Sequence, residues 1–273
     1  MSPHCQKKIT GGRRGKGEGK KFRSGLPLIS IITTIHNASN GIEEAINEVQ
    51  RQTYANKEHI IVDGGSHDGT VDVLKRKDDE IDYWVSEADA GIYDAMNKGI
   101  DAAGGEWIYF LGVDDSFYRP DTLESIMNNG DISDETALVF GNVLYSDGRL
   151  FRSRFDKKLY YKNSVHHQSV FYRNRVFDEF RYGLCESSGR GRHFDISGDY
   201  QLNLRLFTRG MKSLYVNEII ARCGRGVSME GKFTGYREEL IIRHQYMNFF
   251  KAIIFDITTL LRYGWKQIGL LCL

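Results

Sequence analysis

Short apolar runs alternate with amphipathic stretches along the first half of the chain. Leu28 to Thr34 is rich in β-branched residues and predicts a buried strand. Behind Asn40, which suits a helix N-cap, Ile42, Ala45, Ile46 and Val49 recur at helical spacing. His59 to Val62 and Ile81 to Ser86 predict two more strands, with a helix from Val71 to Lys75 between them and another over Ile92 to Ala103 after them. Trp107 to Leu111 is a run of five aromatic or aliphatic residues, the pattern of a strand buried on both faces of a largely parallel sheet. Repeated strand and helix alternation implies parallel pairing with right-handed crossovers, hence an α/β fold. Pro120 in a first turn, followed by Leu123, Ile126 and Met127, marks a further helix.

From Ala137 the pattern changes. Leu138 to Tyr145 and Leu150 to Arg154 flank Ser146-Asp147-Gly148-Arg149, a hairpin signal, so the second half is expected to be mixed or antiparallel. Val165 to Tyr172 predicts a strand entered by His166 and His167, and Asp199 opens a helix carrying Leu202, Leu204 and Leu206. Tyr236 to Leu273 predicts one or two long helices whose broad apolar face is interrupted by Lys251, Asp256, Arg262 and Lys266. That is too charged to span a bilayer, which needs about 20 apolar residues. Trp265 and Tyr263, flanked by Arg262 and Lys266, suit a membrane interface; packing on the protein's own core or a dimer contact explains the same face equally well. These breaks divide the chain into a tail (1–25), two halves of one domain (26–135 and 136–234) and a C-terminal amphipathic segment (235–273).

The chain has 273 residues, 41% hydrophobic and 27% charged, enough to bury one substantial core. Its net charge of +1 argues against nucleic-acid binding through overall charge. The charge is uneven. Between Lys7 and Arg23 eight Lys or Arg accompany a single acid, Glu18, among glycines, so this tail is expected to be disordered, either attracted to an anionic membrane or merely solvated. No apolar run follows it, so it does not read as a secretory signal. Cys5, Cys185, Cys223 and Cys272 form no C-x-x-C pair and read as reduced thiols of a cytoplasmic protein.

The sharpest chemical signal is Asp114-Asp115, directly after the inner strand. Adjacent carboxylates at a buried strand end repel unless a cation or strong donors sit beside them, and open α/β sheets hold ligands at the carboxyl ends of their strands. The pair therefore reads as a divalent-metal and nucleotide site, although a solvated turn before a helix cap explains the same letters. In the loop Asp63 to Thr70, three glycines permit close backbone approach while Asp63 and Asp68 offer carboxylates to a base or ribose; capping by Asp68 or Thr70 is the competing reading. Asp94 and Asn97 share one helix face near its N-terminus. Asp199 reads as a functional carboxylate or a helix cap, and the two histidines as site residues or ordinary packing. The first strand ends in Thr34-Ile35-His36-Asn37 without G-x-G-x-x-G, which excludes a nicotinamide oxidoreductase.

In chain order, Thr34-Ile35-His36-Asn37, Gln52-Thr53, Val62 to Thr70, Ser86 to Ile100, Asp114-Asp115, His167-Gln168, Ser197-Gly198-Asp199-Tyr200 and Gly226-Val227-Ser228 together resemble the inverting family-2 glycosyltransferases of the GT-A fold, especially those that build bacterial surface polysaccharides. The likeness covers about Leu28 to Ser228 and implies a Rossmann-like nucleotide-binding half with a mostly parallel sheet, then a mixed-sheet acceptor half. It implies metal-dependent transfer of a sugar, with inversion, from a nucleoside-diphosphate donor, UDP favoured, to a glycan or lipid-linked acceptor in polysaccharide or glycolipid biosynthesis of the cell envelope. Such an enzyme is expected in the cytoplasm or on the inner face of its membrane, with the basic tail and C-terminal helix as membrane contacts and a homo-oligomer compatible with the pattern. The resemblance assigns donor binding to Thr34, His36, Asn37, Asp63, Asp68, Asp94, Asn97 and Asp114. It assigns Mg2+ or Mn2+ to Asp114 and Asp115, the general base to Asp199, and the acceptor side to His167 and Gln168. Three departures stand out. Many relatives carry an acid where Gly64 stands, Gly112 takes the first acidic place of a fuller D-x-D-D pattern, and Arg225 stands where relatives tend to have glycine. Gly183 to Phe194 reads as a mobile loop. Gly64 and Gly112 motivate a competing reading, a catalytically silent nucleotide-sugar-binding or scaffold protein of the same fold.

Overall fold

The computed structural model describes residues 8–18, 22–183, 194–224 and 233–271, of which 266–271 by backbone alone. Its strands are β1 (Ile9–Gly11), β2 (Ile29–Ile35), β3 (Lys57–Asp63), β4 (Tyr83–Ser86), β5 (Trp107–Phe110), β6 (Ser116–Phe117), β7 (Leu138–Tyr145), β8 (Leu150–Arg152), β9 (Val170–Arg173) and β10 (Ser213–Cys223). The helices are α1 (Ile42–Arg51), α2 (Thr70–Arg76), α3 (Ile92–Ala102), α4 (Thr122–Met127), α5 (Val176–Glu179), α6 (Gly198–Thr208), α7 (Phe233–Tyr246) and α8 (Phe249–Leu271).

One sheet runs through both halves, in the order β1-β4-β3-β2-β5-β9-β7-β10-β6, with β8 paired to β7. β2 lies parallel to β3 and β5, and β3 to β4, as the alternating first half predicts. β9 is antiparallel to both β5 and β7, whereas β10 is parallel to β7, so the second half is mixed. Side chains alternate across the inner strands. Ile31 and Tyr109 belong to the core on one face, Ile32 and Phe110 to the core on the other. Gly99 lets α3 lie directly on β2, because a Cβ there would collide with the Ile32 side chain.

Four expectations are corrected. The basic segment is not disordered over residues 8–18: β1 pairs with β4, and Arg14 forms an ion pair with the buried Glu58 while Lys16 meets Asp78 and Asp79. Its order comes from acids distant in sequence. α1 begins behind Gly41, with no side-chain cap from Asn40. Pro120 precedes α4 and lies outside it. His167 belongs to a 3-10 turn (His167–Ser169) ahead of β9, not to the strand itself.

The C-terminal segment forms two helices, α7 and α8. No helix among the described residues is long and apolar enough to cross a membrane. The contact between α7 and α8 is polar: buried Arg243 reaches Asp256 at 3.2 Å and Thr259 at 2.6 Å, and Arg262 pairs with Glu239.

Candidate active site

At the carboxyl ends of β2 and β5 the chain leaves a cleft of about 500 Å3. Thr34, His36 and Asn37 line one wall, Gly112 and Asp114 the floor, and His167 and Gln168 the far side. Local chemistry holds the first wall in shape. Asn37 adopts a left-handed φ of 54°, which asparagine tolerates, and its backbone N–H donates to Ser66 Oγ at 2.6 Å. Its side-chain oxygen accepts from the His67 N–H at 3.1 Å, so the ends of β2 and β3 are stitched together.

Asp114 is exposed and lines the cleft, whereas Asp115 is half-buried and does not line it. Burial pushes the Asp115 carboxyl above its ordinary value, and the neighbouring Asp114 charge pushes the same way. Hydrogen bonds from the Cys223 thiol, the Gly224 amide and Gln168 oppose that rise. Gln168 is itself anchored, its carbonyl accepting from the Tyr109 hydroxyl at 2.8 Å. The Asp115 carboxylate fills the space above Gly112, where any side chain would collide with it. Likewise the Asp89 carboxylate covers Gly64. Both glycines thus leave room for a neighbouring carboxylate, Asp115 at Gly112 and Asp89 at Gly64.

Asp199 opens α6 on the second half. Burial pushes its carboxyl up to about 6, opposed by the Tyr200 N–H at 2.8 Å and the Asn163 side-chain amide at 2.7 Å. The backbone just ahead of it is held by Glu238 of α7, whose carboxylate accepts from the N–H groups of Asp195, Ile196 and Ser197 at 2.8 to 3.0 Å. Asp199 does not line the cleft directly. An aromatic layer joins the two: Phe110 and His167 stack at 5.0 Å, Tyr182 packs against Phe110, and Tyr93 stacks on Tyr182 while donating to the Ile196 carbonyl.

The remaining candidates divide. Asp63 is fully buried and accepts from Ser66 and Ser86, while Asp68 is exposed and accepts from Thr70 and Ser39, so both carboxylates hold local structure and only Asp68 faces solvent. The Thr70 hydroxyl and the Ser39 and Thr70 amides hold Asp68 well below the usual carboxylate range. Asp94 pairs with Lys98 at 3.3 Å, and Asn97 brackets the Tyr182 backbone with two hydrogen bonds, so these too serve structure and do not line the cleft. His166 accepts from Gln168 N–H at 3.4 Å. Among the described residues neither ring nitrogen of His167 finds a hydrogen-bond partner, and burial lowers its pKa to about 3, so the cleft holds a neutral imidazole. Sequence reasoning missed Asp89, Asn163, Cys223 and Glu238; only Asp89 carried a signal, within the Ser86 to Ile100 run. Gly226-Val227-Ser228, Arg225 and residues 184–193 lie outside the described residues.

Among the described residues no cluster of three or more His, Cys, Asp or Glu side chains could hold a metal alone. A hard dication nevertheless fits. Two adjacent carboxylates are the share a protein contributes where phosphate oxygens and water complete the shell, and the Asp114 charge beside the buried Asp115 carboxyl raises the latter's pKa, a repulsion that a dication would relieve.

Comparison with known proteins agrees with this geometry. The family model described as "Glycosyl transferase family 2" matches residues 30–196. A "PGL/p-HBAD biosynthesis glycosyltransferase" of Mycobacterium bovis (strain BCG / Pasteur 1173P2) is 31% identical over 202 residues, covering 71% of this chain and 76% of that one. Among solved structures, S. aureus TarS superposes with a TM-score of 0.59 at 15% identity over 79% of this chain, which spans only 39% of TarS. Glucosyl-3-phosphoglycerate synthase from Mycobacterium tuberculosis, in complex with Mn2+, UDP and phosphoglyceric acid, gives 0.57 at 15% identity, covering 81% of this chain and 80% of that one. At such identities the structural likeness concerns the fold, which is that of GT-A glycosyltransferases.

Proposed function

The chain belongs to glycosyl transferase family 2, and on that premise we propose that it moves a sugar, with inversion, from a UDP-sugar to a glycan or lipid-linked acceptor of the cell envelope. One observation carries this reading: Asp114 sits in a cleft walled by the end of β2, while a separate acid with an elevated pKa, Asp199, stands on the other half behind a shared aromatic layer. The choice of UDP and of a cell-envelope acceptor rests on the relatives named above, one binding UDP with Mn2+ and one named for PGL/p-HBAD biosynthesis.

In this reading the acceptor hydroxyl attacks the anomeric carbon from the face opposite the diphosphate. The new C–O bond forms as the bond to the diphosphate breaks, its electron pair leaving on the diphosphate oxygen, and the hydroxyl proton passes to Asp199. A positioned carboxylate contributes roughly 10²–10⁴-fold in such a step. Thr34, His36 and Asn37 border the donor, and His167 and Gln168 close the far side. Asp114 and Asp115 would hold Mg2+ or Mn2+, which when bound offsets the charge left on the departing diphosphate. The acidic pair Asp114-Asp115 and the separate buried acid Asp199 support an enzyme over a silent binding module.

The test is UDP-sugar hydrolysis and transfer with and without a chelator. Loss of both on chelation, with recovery on adding Mn2+, is expected. Unchanged turnover in chelator removes the metal role from Asp114 and Asp115.

A further inference from the structure

The helix α8 is mounted inside out. Asp256, Thr259 and Arg262 face the protein, where they bond to Arg243 and Glu239. The apolar residues face solvent: Phe250 is 76% exposed, Ile254 63%, Leu261 57% and Trp265 77%. At that spacing, with Ile257, they form one continuous stripe. Helices on a globular surface ordinarily show the reverse arrangement, and an exposed contiguous apolar patch marks an interaction surface.

Charge identifies the occupant. Between Phe249 and Trp265 the only acid is Asp256, which is turned inward to Arg243 and His244, while Lys251 is exposed. Beside the helix, the turn Lys157–Tyr160 presents exposed Lys157 and Lys158, and its Tyr160 ring packs against Phe255 of α8. The acid of that turn, Asp156, caps it by accepting from the Lys158 N–H at 2.7 Å, so two lysines stand against one acid there. A cavity of about 560 Å3 brings Lys162 together with Leu261 and Trp265, so the basic strip and the apolar stripe adjoin. A purely anionic partner would leave the stripe in water, and an apolar one would make no use of the exposed Lys157 and Lys158.

We infer that α8 lies flat in the headgroup layer of an anionic lipid surface, its stripe at the acyl boundary and the Lys157–Lys158 turn against lipid phosphates. No helix among the described residues is able to cross a bilayer, so the contact lies on the membrane and not through it. The inference goes beyond the transfer reaction and needs neither donor nor metal.

Flotation of the whole chain with vesicles tests it. Vesicles of phosphatidylcholine with roughly a third phosphatidylglycerol are expected to carry the protein at low salt, and phosphatidylcholine alone to leave it behind. Replacing Lys157 and Lys158 by Gln should weaken partitioning roughly thirtyfold. The Ile254→Ser, Leu261→Ser pair should weaken it by at least about tenfold without lowering Tm, since both side chains are already exposed. Equal flotation on neutral and anionic vesicles, no flotation, or an unaffected lysine variant overturns the inference. So does concentration-dependent dimerisation that the serine pair abolishes, because a second copy would then cover the stripe. A UDP-induced thermal shift, measured on the same samples, reports the cleft separately and keeps a failed donor reading distinct from a failed membrane one.

Discussion

Asp115 at the end of β5 and Asp199 at the start of α6 are both carboxyls pushed up by burial, yet their surroundings differ in kind. Asp115 has a second acid as its chain neighbour, and the donors around it, Cys223 with Gly224 and Gln168, come from two places far along the chain and are all uncharged. Asp199 has no adjacent acid in sequence and takes its bonds from the start of its own helix and one asparagine. A like charge directly adjacent in the chain makes a place for a cation, whereas burial, which dominates at Asp199 with only a lesser push from Glu239, makes a place for a proton. In the proposed reaction the first acid serves the leaving group and the second the incoming alcohol.

The most severe way to break this contrast is Asp199→Asn. Turnover should fall by roughly 10²–10⁴-fold while UDP-sugar affinity, measured by calorimetry, stays as it was. A parallel loss of affinity would place Asp199 with the donor. Next comes Asp115→Asn. At about a hundred times its Kd, a ligand stabilises the fold by roughly 2.7 kcal/mol, and the Mn2+-dependent part of the UDP-induced rise in Tm should disappear in this variant.

The proton site is sharpened by pH. With its carboxyl at about 6, Asp199 must ionise to act, so kcat should fall about tenfold per unit as pH drops below that value. Its folded pKa is raised, so the native state holds the proton more tightly than the unfolded chain. Stability should therefore decline as pH rises from about 3.8 to about 6, and Asp199→Asn should flatten that part of the curve. Asn163→Ala removes a bond to the ionised form and should move the kinetic inflection upward by up to about one unit. The smallest effect belongs to Cys223→Val, which deletes the thiol donor to Asp115. A loss of about 1 kcal/mol in urea unfolding is expected, with nucleotide still bound.

The parallel half was legible because its signals are local. Trp107 to Leu111 announces an inner strand by composition, and the position of Asp114-Asp115 follows from where that strand stops. What held those acids was not legible, since Cys223 and Gln168 reach Asp115 from far along the chain. The segment around β1 misled for the same reason: a basic, glycine-rich stretch looks unfoldable until Glu58, Asp78 and Asp79 are brought beside it. For α8 the sequence shows an apolar stripe but not which way it points. Arg243 and Glu239, on another helix, decide that. His166 and His167 look like a strand entry by pattern alone, and only the 3-10 turn they make brings His167 to the cleft.

Glu238 gathers three backbone amides ahead of α6 from its seat on α7. A single side chain therefore ties the outer helical pair to the segment ahead of Asp199, the proposed proton acceptor, without passing through the sheet. If the proposed reaction and membrane contact both hold, one carboxylate links the docking helices to the segment that presents Asp199, and Glu238→Gln would separate seating from turnover.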